Sequence, residues 1–374
     1  MLDGLYLTLL AGPVVAVPVP KIVLDALTSV QVTSGADGRD GFQLTFSLNK
    51  RSPLHTLFLI GAGQTPMMRV IIAVTINGMP QVLMDGVITR TETGASDASG
   101  HVPLTVTGED LTKVMNVADF SGLPYPAMPV VARIALICAK YAAFGITPLI
   151  IPSLFTDAQS PTKRTEAHQG TDLEYIRKLA KEAGYVFYIE PGPAPGVNVA
   201  YWGPEIKVGP PQPALSTDMD AHTNVESLSF SFNSAQTALP IVFIQNELTK
   251  VPIPIPIPRL NPLQPPLGLL PAPISNVTML RDTAKMSPMA ALSRGVAEAA
   301  RSADAVAGTG TLNVLRYGRV LRARRLVGVR GAGIAFDGLY YVKSVTTTIK
   351  RGEFKQNFSL TRNGLISITP LVPV

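Results

Sequence analysis

Long stretches of this chain alternate apolar and polar side chains residue by residue. In GFQLTFSLNK, Phe42, Leu44, Phe46 and Leu48 fall on one side, and Gln43, Thr45 and Ser47 fall on the other. Successive side chains of a strand point to opposite faces, so this spacing buries one face of a strand and no face of a helix. The pattern recurs at Val70, Ile72, Val74 and Ile76, and again at Val102, Leu104 and Val106. Between them Asn77-Gly78 signals a tight hairpin, with the returning strand running from Val82 to Thr89. Alternation at this pace, with turn residues between, points to an antiparallel barrel or sandwich.

Composition agrees. Only 16% of the residues are charged, where a soluble domain averages about a quarter. Glycine and proline number 31 and 33, which favours many turns. At 374 residues the chain is long enough for two or three domains. The net charge of +6 permits an acidic partner without requiring nucleic acid. The single cysteine, Cys138, excludes an internal disulfide framework and a cysteine zinc site.

The middle of the chain changes period. MPVVARIALICAKYAAFG carries apolar residues at helical spacing and ends on Gly145, and ITPLIIP follows as a short strand. The clearest unit is TDLEYIRKLAKEAGYVFYIEPG. Thr171 with Glu174 three residues on makes a capping box. Leu173, Ile176, Leu179, Ala180 and Ala183 form one stripe, and Gly184 suits the position after the last turn. A helix packed on a small sheet is expected there. From residue 223 the alternation returns, with Leu228, Phe230 and Phe232 on one face. SPMAALSRGVAEAARSADAV reads as a helix, and four or five strands follow it.

Two segments stand apart. Between Pro252 and Pro273 lie nine prolines, interleaved with Ile, Leu and Val. Such a segment is neither helix nor central strand, and its apolar residues favour an arm against a neighbour over a solvated linker. The N-terminal stretch is apolar, but Asp3, Pro13, Pro18 and Pro20 interrupt it and no basic residue precedes it. A spanning helix needs about 20 unbroken apolar residues, so no stable membrane anchor is expected. The expected division is an N-terminal segment over 1–20, a β-rich region over 21–125, an α/β region over 126–215 and a second β-rich region over 216–374. The last includes the arm at 251–274.

A catalytic site does not emerge. The four histidines, His55, His101, His168 and His222, share no metal-ligand spacing. His168 reads as a surface or capping histidine, and Cys138 as a buried structural thiol in an apolar helix. There is no Gly-x-Ser-x-Gly elbow and no phosphate-binding loop. The carboxylate pairs Glu109-Asp110 and Asp218/Asp220 sit in turn-like segments, and Asp172/Glu174 is explained by capping. No cofactor, no metal and no enzymatic activity are expected.

The sharpest charge feature is RYGRVLRARRLVGVRG, with Arg316, Arg319, Arg322, Arg324, Arg325 and Arg330. Read as a strand, Arg322 and Arg324 share a face with Val320 and Leu326, and Arg325 points the other way. With only Tyr317 interleaved, base stacking is disfavoured, and nucleic acid is not expected as a partner. A solvated barrel face is the plain alternative to an arginine interface with carboxylates of a partner. Candidate interface residues are therefore Arg316, Arg319, Arg322, Arg324 and Arg325, with Ile253, Ile255, Ile257, Leu269 and Leu270 of the arm.

The order of these segments resembles a known family. HQGTDLEYIRKLAKEAGYVFYI resembles the signature of phage late control protein D and VgrG-type baseplate hub proteins, through Gln169, Asp172, Leu179, Ala180, Glu182 and Gly184. GEDLTKVMN sits where that family places a short Gly-x-Asp motif. The closing segment matches at Gly338, Tyr340, Val342, Gly352, Phe354, Phe358, Leu360 and Arg362. The resemblance runs in order over roughly 20–365. It implies a mainly β fold with a small α/β insertion and two tube-like antiparallel β-barrels per chain. Three chains would form a pseudo-six-fold ring, a homotrimer joining a six-fold inner tube to a three-fold spike. Because the chain stops at Val374, the spike is expected to be a separate protein. Inner tube and baseplate wedge proteins are the other implied partners, in a contractile phage tail or injection particle assembled from the bacterial cytoplasm. A tail-associated cell-wall hydrolase and a nucleic-acid-binding ring are the rival readings.

Overall fold

The computed structural model describes residues 5–38, 40–49, 67–95, 100–153, 166–245, 251–258, 264–280, 283 and 288–369. His55, part of the 156–170 loop and residues 259–263 of the arm lie outside the described residues. The first region contains β1 (Leu5–Gly12), β2 (Val17–Pro18), α1 (Lys21–Ala26), β3 (Leu27–Gly35), β4 (Gly41–Asn49), β5 (Arg69–Ile76), β6 (Met79–Thr93) and β7 (His101–Asp110). Asn77 and Gly78 between β5 and β6 both have positive φ, 49° and 78°, as a two-residue hairpin of this hand requires. The 3-10 turn Leu111–Asn116 follows, with Asp110 as its N-cap.

The α/β region holds β8 (Pro124–Tyr125), α2 (Val130–Ala139), β9 (Ile146–Ile150), β10 (Glu166–Ala167), α3 (Asp172–Ala183), β11 (Val186–Pro191) and β12 (Asn198–Gly203). Its three-stranded sheet runs β11-β12-β9, with β9 and β12 parallel. The start of α3 carries the expected capping box between Thr171 and Glu174, and Gly184 closes it at a φ of 70°. Ile134, Ile137, Ile176 and Trp202 are almost fully buried and form its core.

The last region holds β13 (Gln212–Ser216), β14 (Val225–Phe232), β15 (Ala238–Gln245), β16 (Pro252–Pro256), β17 (Gly268–Pro271), β18 (Asn276–Leu280), α4 (Pro288–Arg301), β19 (Val306–Asn313), α5 (Val314–Tyr317), β20 (Leu326–Arg330), β21 (Gly338–Lys350), β22 (Glu353–Arg362) and β23 (Gly364–Ser367). One sheet path runs β14-β19-β22-β21-β3-β4-β7-β6-β5-β1-β2, with β20 attached to β21 and β13 to β20. The two β-rich regions therefore meet edge to edge. β3 and β21 pair antiparallel from Ser29 opposite Lys350 to Gly35 opposite Ser344. They also share a core, in which Val30, Phe42 and Phe46 join Val345, Phe354 and Leu360. Each such side chain contributes about 1.5–3 kcal/mol when fully buried. Among the described residues the path is open, with β14 at one end and β2 at the other.

A side unit completes the fold: the sheet β16-β15-β18 covered by α4. Its helix lies against α3. A Cβ on Gly184 would sit 2.6 Å from the Ser293 carbonyl oxygen, so glycine both closes α3 and admits α4.

Candidate interaction surface

The arginine run is a turn where a strand was expected. β19 ends at Asn313, whose side chain accepts from the amides of Leu315 and Arg316 and starts α5. Residues 318–325 then form no strand before β20. Two glutamine amides hold this turn in place of a neighbouring strand. Gln356, fully buried, accepts from the Leu321 N–H at 2.8 Å and donates to its carbonyl at 3.0 Å. Gln212 does the same at Arg322, at 2.8 and 2.9 Å. A side-chain amide thereby supplies the donor and acceptor that a paired strand would offer.

The five arginines then separate. Arg324, at a φ of 63°, turns its side chain inward and pairs with Asp40 at 2.8 Å, both side chains being at most 6% exposed. Its guanidinium also donates to the Gly35 carbonyl and lies 4.0 Å from the Tyr188 ring centroid. Arg324 is a tie between the two β-rich regions and the α/β region. Arg322 is half-buried, and desolvation, followed by the charge of Arg325, holds it below the ordinary arginine range. Arg325 is exposed and pairs with Glu190 at 3.3 Å. Arg316 and Arg319 are exposed. Among the described residues the exposed positive surface of the run is thus Arg316, Arg319 and the outer part of Arg325.

The proline arm folds back on its own chain. β16 is an edge strand, antiparallel to β15, with Val242 opposite Ile255 and Ile244 opposite Ile253. The Ile257 N–H donates to the Pro240 carbonyl at 3.0 Å. Hydrogen bonding alternates along an antiparallel edge, so Ile253 and Ile255 also direct their N–H groups to β15. Pro252, Pro254 and Pro256 then occupy the outward positions, where a strand edge would otherwise offer N–H groups. Ile257 is buried and Ile255 half-buried beneath α4, whereas Ile253 is 46% exposed. A Cβ on Gly295 of α4 would sit 2.7 Å from both Ile257 and Val242, so this glycine allows the close approach. Further on, β17 pairs with β23 and leaves Leu269 and Leu270 exposed.

Several titratable groups outside these surfaces are buried and structural. His168 is buried, correcting the surface assignment. Its Nδ1 lies 3.0 Å from the Tyr125 hydroxyl, and its Nε2 lies 3.5 Å from Asp172. Asp172 is fully buried and accepts from the Lys140 ammonium at 3.1 Å and the Tyr141 hydroxyl at 2.8 Å. Arg69 and Asp85 form a bidentate pair at 2.8 and 2.7 Å. Arg69 donates further to the Val14 and Phe144 carbonyls, and Asn198 donates to Asp85. Asp110 sits at the end of β7 with Oδ1 accepting from Thr112 and Oδ2 unpartnered among the described residues. Burial pushes its carboxyl up to about 7. Cys138 is buried, and burial pushes its thiol up to about 12, opposite to what a nucleophile needs. No group of three or more His, Cys, Asp or Glu able to hold a metal occurs among the described residues. No helix among them is long and apolar enough to cross a membrane.

No protein-family profile matches the chain, and no curated protein matches it by sequence. Solved structures do match by fold. A tail protein from Neisseria meningitidis MC58 is similar with a TM-score of 0.62 at 14% identity, covering 97% of this chain and 98% of that one. The 43 kDa tail protein of prophage MuSo2 from Shewanella oneidensis is similar with a TM-score of 0.63 at 14% identity, covering 96% and 98%. The Francisella PdpA-VgrG complex contains a chain with a TM-score of 0.61 at 7% identity. All of this chain is covered there, and 60% of that one. The chain has the fold of phage tail proteins along almost its whole length.

Proposed function

We propose that this chain is the structural hub of a contractile, phage-tail-like injection machine. The observation that carries the reading is the end-to-end fold likeness to two tail proteins, each matched over 98% of its own length. Residues 21–125 and 216–374 act as two tube-like β units, with 126–215 as the α/β elaboration between them and 1–20 as the N-terminal segment. Three chains supply six such units, which matches a six-fold inner tube above to a three-fold spike below. The ring needs a head-to-tail contact that closes after three copies. The two free ends of the sheet path, at β14 and at β2, supply complementary edges for it.

The mechanism is geometric. The hub adapts symmetry and transmits the force of sheath contraction to a spike, with baseplate wedge proteins around it. Arg316 and Arg319 fit contacts with acidic surfaces of these partners. The buried ties Arg324–Asp40 and Arg69–Asp85 hold the α/β region and the two β units together under load. The titratable groups of the α/β region serve this packing and take no part in catalysis.

The test is the solution mass of the purified chain across salt concentrations. Three times 39.8 kDa, held on dilution, is expected. A chain that stays monomeric when concentrated, and also when inner tube or spike protein is added, contradicts the proposal.

A further inference from the structure

The three-stranded side sheet has two edges, and only one of them is blocked. At β16, Pro252, Pro254 and Pro256 occupy the positions that would otherwise point N–H groups outward. At the other edge, β18 runs parallel to β15 in unbroken register, from Asn276 opposite Ala238 to Leu280 opposite Val242. The Asn276 N–H donates to the Thr237 carbonyl at 3.1 Å. Main-chain groups alternate in direction along a strand, so Thr278 and Leu280 also turn theirs to β15. Val277 and Met279 direct theirs away from the sheet. No strand pairs with that side of β18 among the described residues.

Natural sheet edges are guarded by lysine, proline, a bulge or a covering element. The β18 stretch, NVTML, has no lysine and no proline, and its pairing has no bulge. Val277 and Met279 are each 57% exposed. They lie opposite Leu239 and Ile241. Val242, Ile255 and Leu280 pack against α4, so these alternate residues occupy the opposite face of the sheet. Phe243 and Pro254, paired with each other, continue that face. No charged residue occurs in β15, β16 or β18. Outward main-chain groups and an apolar strip therefore lie side by side. On its α4 side, β18 borders a cleft of about 740 Å³ between the side unit and the long sheet, which Thr278 lines. Both signs of charge line it too: Glu298 and Arg301 on α4, and Asp37 and Lys343 beside the long sheet. Asp37 and Lys343 are exposed and have no ion pair among the described residues.

We infer that the free edge of β18 is a docking site for an extended segment of a partner protein, which adds as a fourth strand of the side sheet. Successive side chains of such a segment point to opposite faces. Its apolar residues cover Val277 and Met279. The residues between them carry acidic and basic side chains into the cleft, where Lys343 and Asp37 await partners. Main-chain bonds to Val277 and Met279 hold the segment, and the alternation of its side chains selects it. A second copy of this chain offering its own β18 would bring no charge to the cleft, because NVTML carries none. The edge is neither β14 nor β2, so the docking site is additional to the ring contacts of the hub reading.

The probe is a fluorescein-labelled peptide, Thr-Val-Glu-Val-Lys-Val-Thr, titrated with the full chain and followed by anisotropy. Saturable binding in the micromolar range is expected, and a control peptide with Ser in place of each Val should not bind. Amide hydrogen exchange at Val277 and Met279 should be fast in the free chain and should slow about tenfold when the peptide is bound. Val277→Pro and Met279→Pro each remove one outward N–H and no bond to β15. Each should weaken binding by about tenfold or more and leave the thermal midpoint of the free chain in place. Val277→Lys guards the edge without altering the backbone and should weaken binding as well, so a proline variant that fails to fold does not remove the test. Slow exchange of both amides in the free chain shows that the edge is already covered and overturns the inference. Absence of saturable binding overturns it too, as does binding that all three variants leave unchanged. Concentration-dependent self-association that Met279→Pro abolishes identifies a second copy as the occupant and overturns the partner assignment. The mass of the oligomer, which tests the hub reading, is read separately from peptide binding.

Discussion

Asp110 provides the most quantitative prediction. Its carboxyl is 3% exposed at the junction of β7 and the following turn, with Thr112 donating to one oxygen and no partner on the other among the described residues. Burial is the main cause of its rise from 3.8 to about 7, Asp40 adds to it, and Thr112 and Arg324 oppose it. The folded state therefore keeps a proton that the unfolded chain releases above about pH 4. Stability contributed by this group is fully present below the unfolded value and is lost as pH rises towards 7. The full loss corresponds to roughly 4 kcal/mol. Asp110→Asn keeps the acceptor for Thr112 and cannot ionise. The difference in unfolding free energy between variant and native chain should grow in favour of the variant by on the order of 2–3 kcal/mol from pH 5 to pH 8. Urea denaturation of both chains at the two pH values reads this directly, since all other titrating groups are common to both. A difference that does not change with pH refutes the reasoning.

Arg324→Met strands Asp40 without its cation in the interior and should cost about 3–5 kcal/mol in a urea titration. A loss below about 1 kcal/mol, typical of an exposed pair, would show that Arg324 is not a tie. Replacing Pro252, Pro254 and Pro256 by Thr should restore outward N–H groups to the β16 edge. Concentration-dependent association by light scattering is then expected, and unchanged scattering counts against the edge-blocking account. Arg316→Glu with Arg319→Glu should leave the thermal midpoint within a degree or two, since surface changes stay within about 0.5 kcal/mol. The same pair should weaken incorporation into particles, and normal incorporation removes these residues from the interface.

Local structure was legible in the sequence because its causes are local. The capping box at Thr171 and Glu174, the glycine stop at Gly184 and the Asn77-Gly78 hairpin each depend on residues within one turn. The proline arm was legible as something other than helix or central strand, for the same reason. Its partner was not, because pairing of β16 with β15 is a choice among several free edges. The arginine run shows the limit most clearly. Its alternation satisfied a strand pattern, but Gln356 and Gln212, 35 and 110 residues away, hold its backbone in a turn. Arg324 looked like a surface cation because Asp40, its partner, is 284 residues away. Testing the interface by reversing Arg324 would therefore break the fold, and Arg316 and Arg319 are the residues to change. His168 likewise looked peripheral until β8 and α3 closed around it. The pairing of β3 with β21, which makes one sheet of two regions, has no local signature at all.

End-on imaging of the purified oligomer by electron cryomicroscopy tests the central claim most directly. Six β lobes around an open passage, alternating in outline with three-fold symmetry, are expected. A two-fold particle, a ring without a passage, or single chains of 39.8 kDa would contradict the hub assignment.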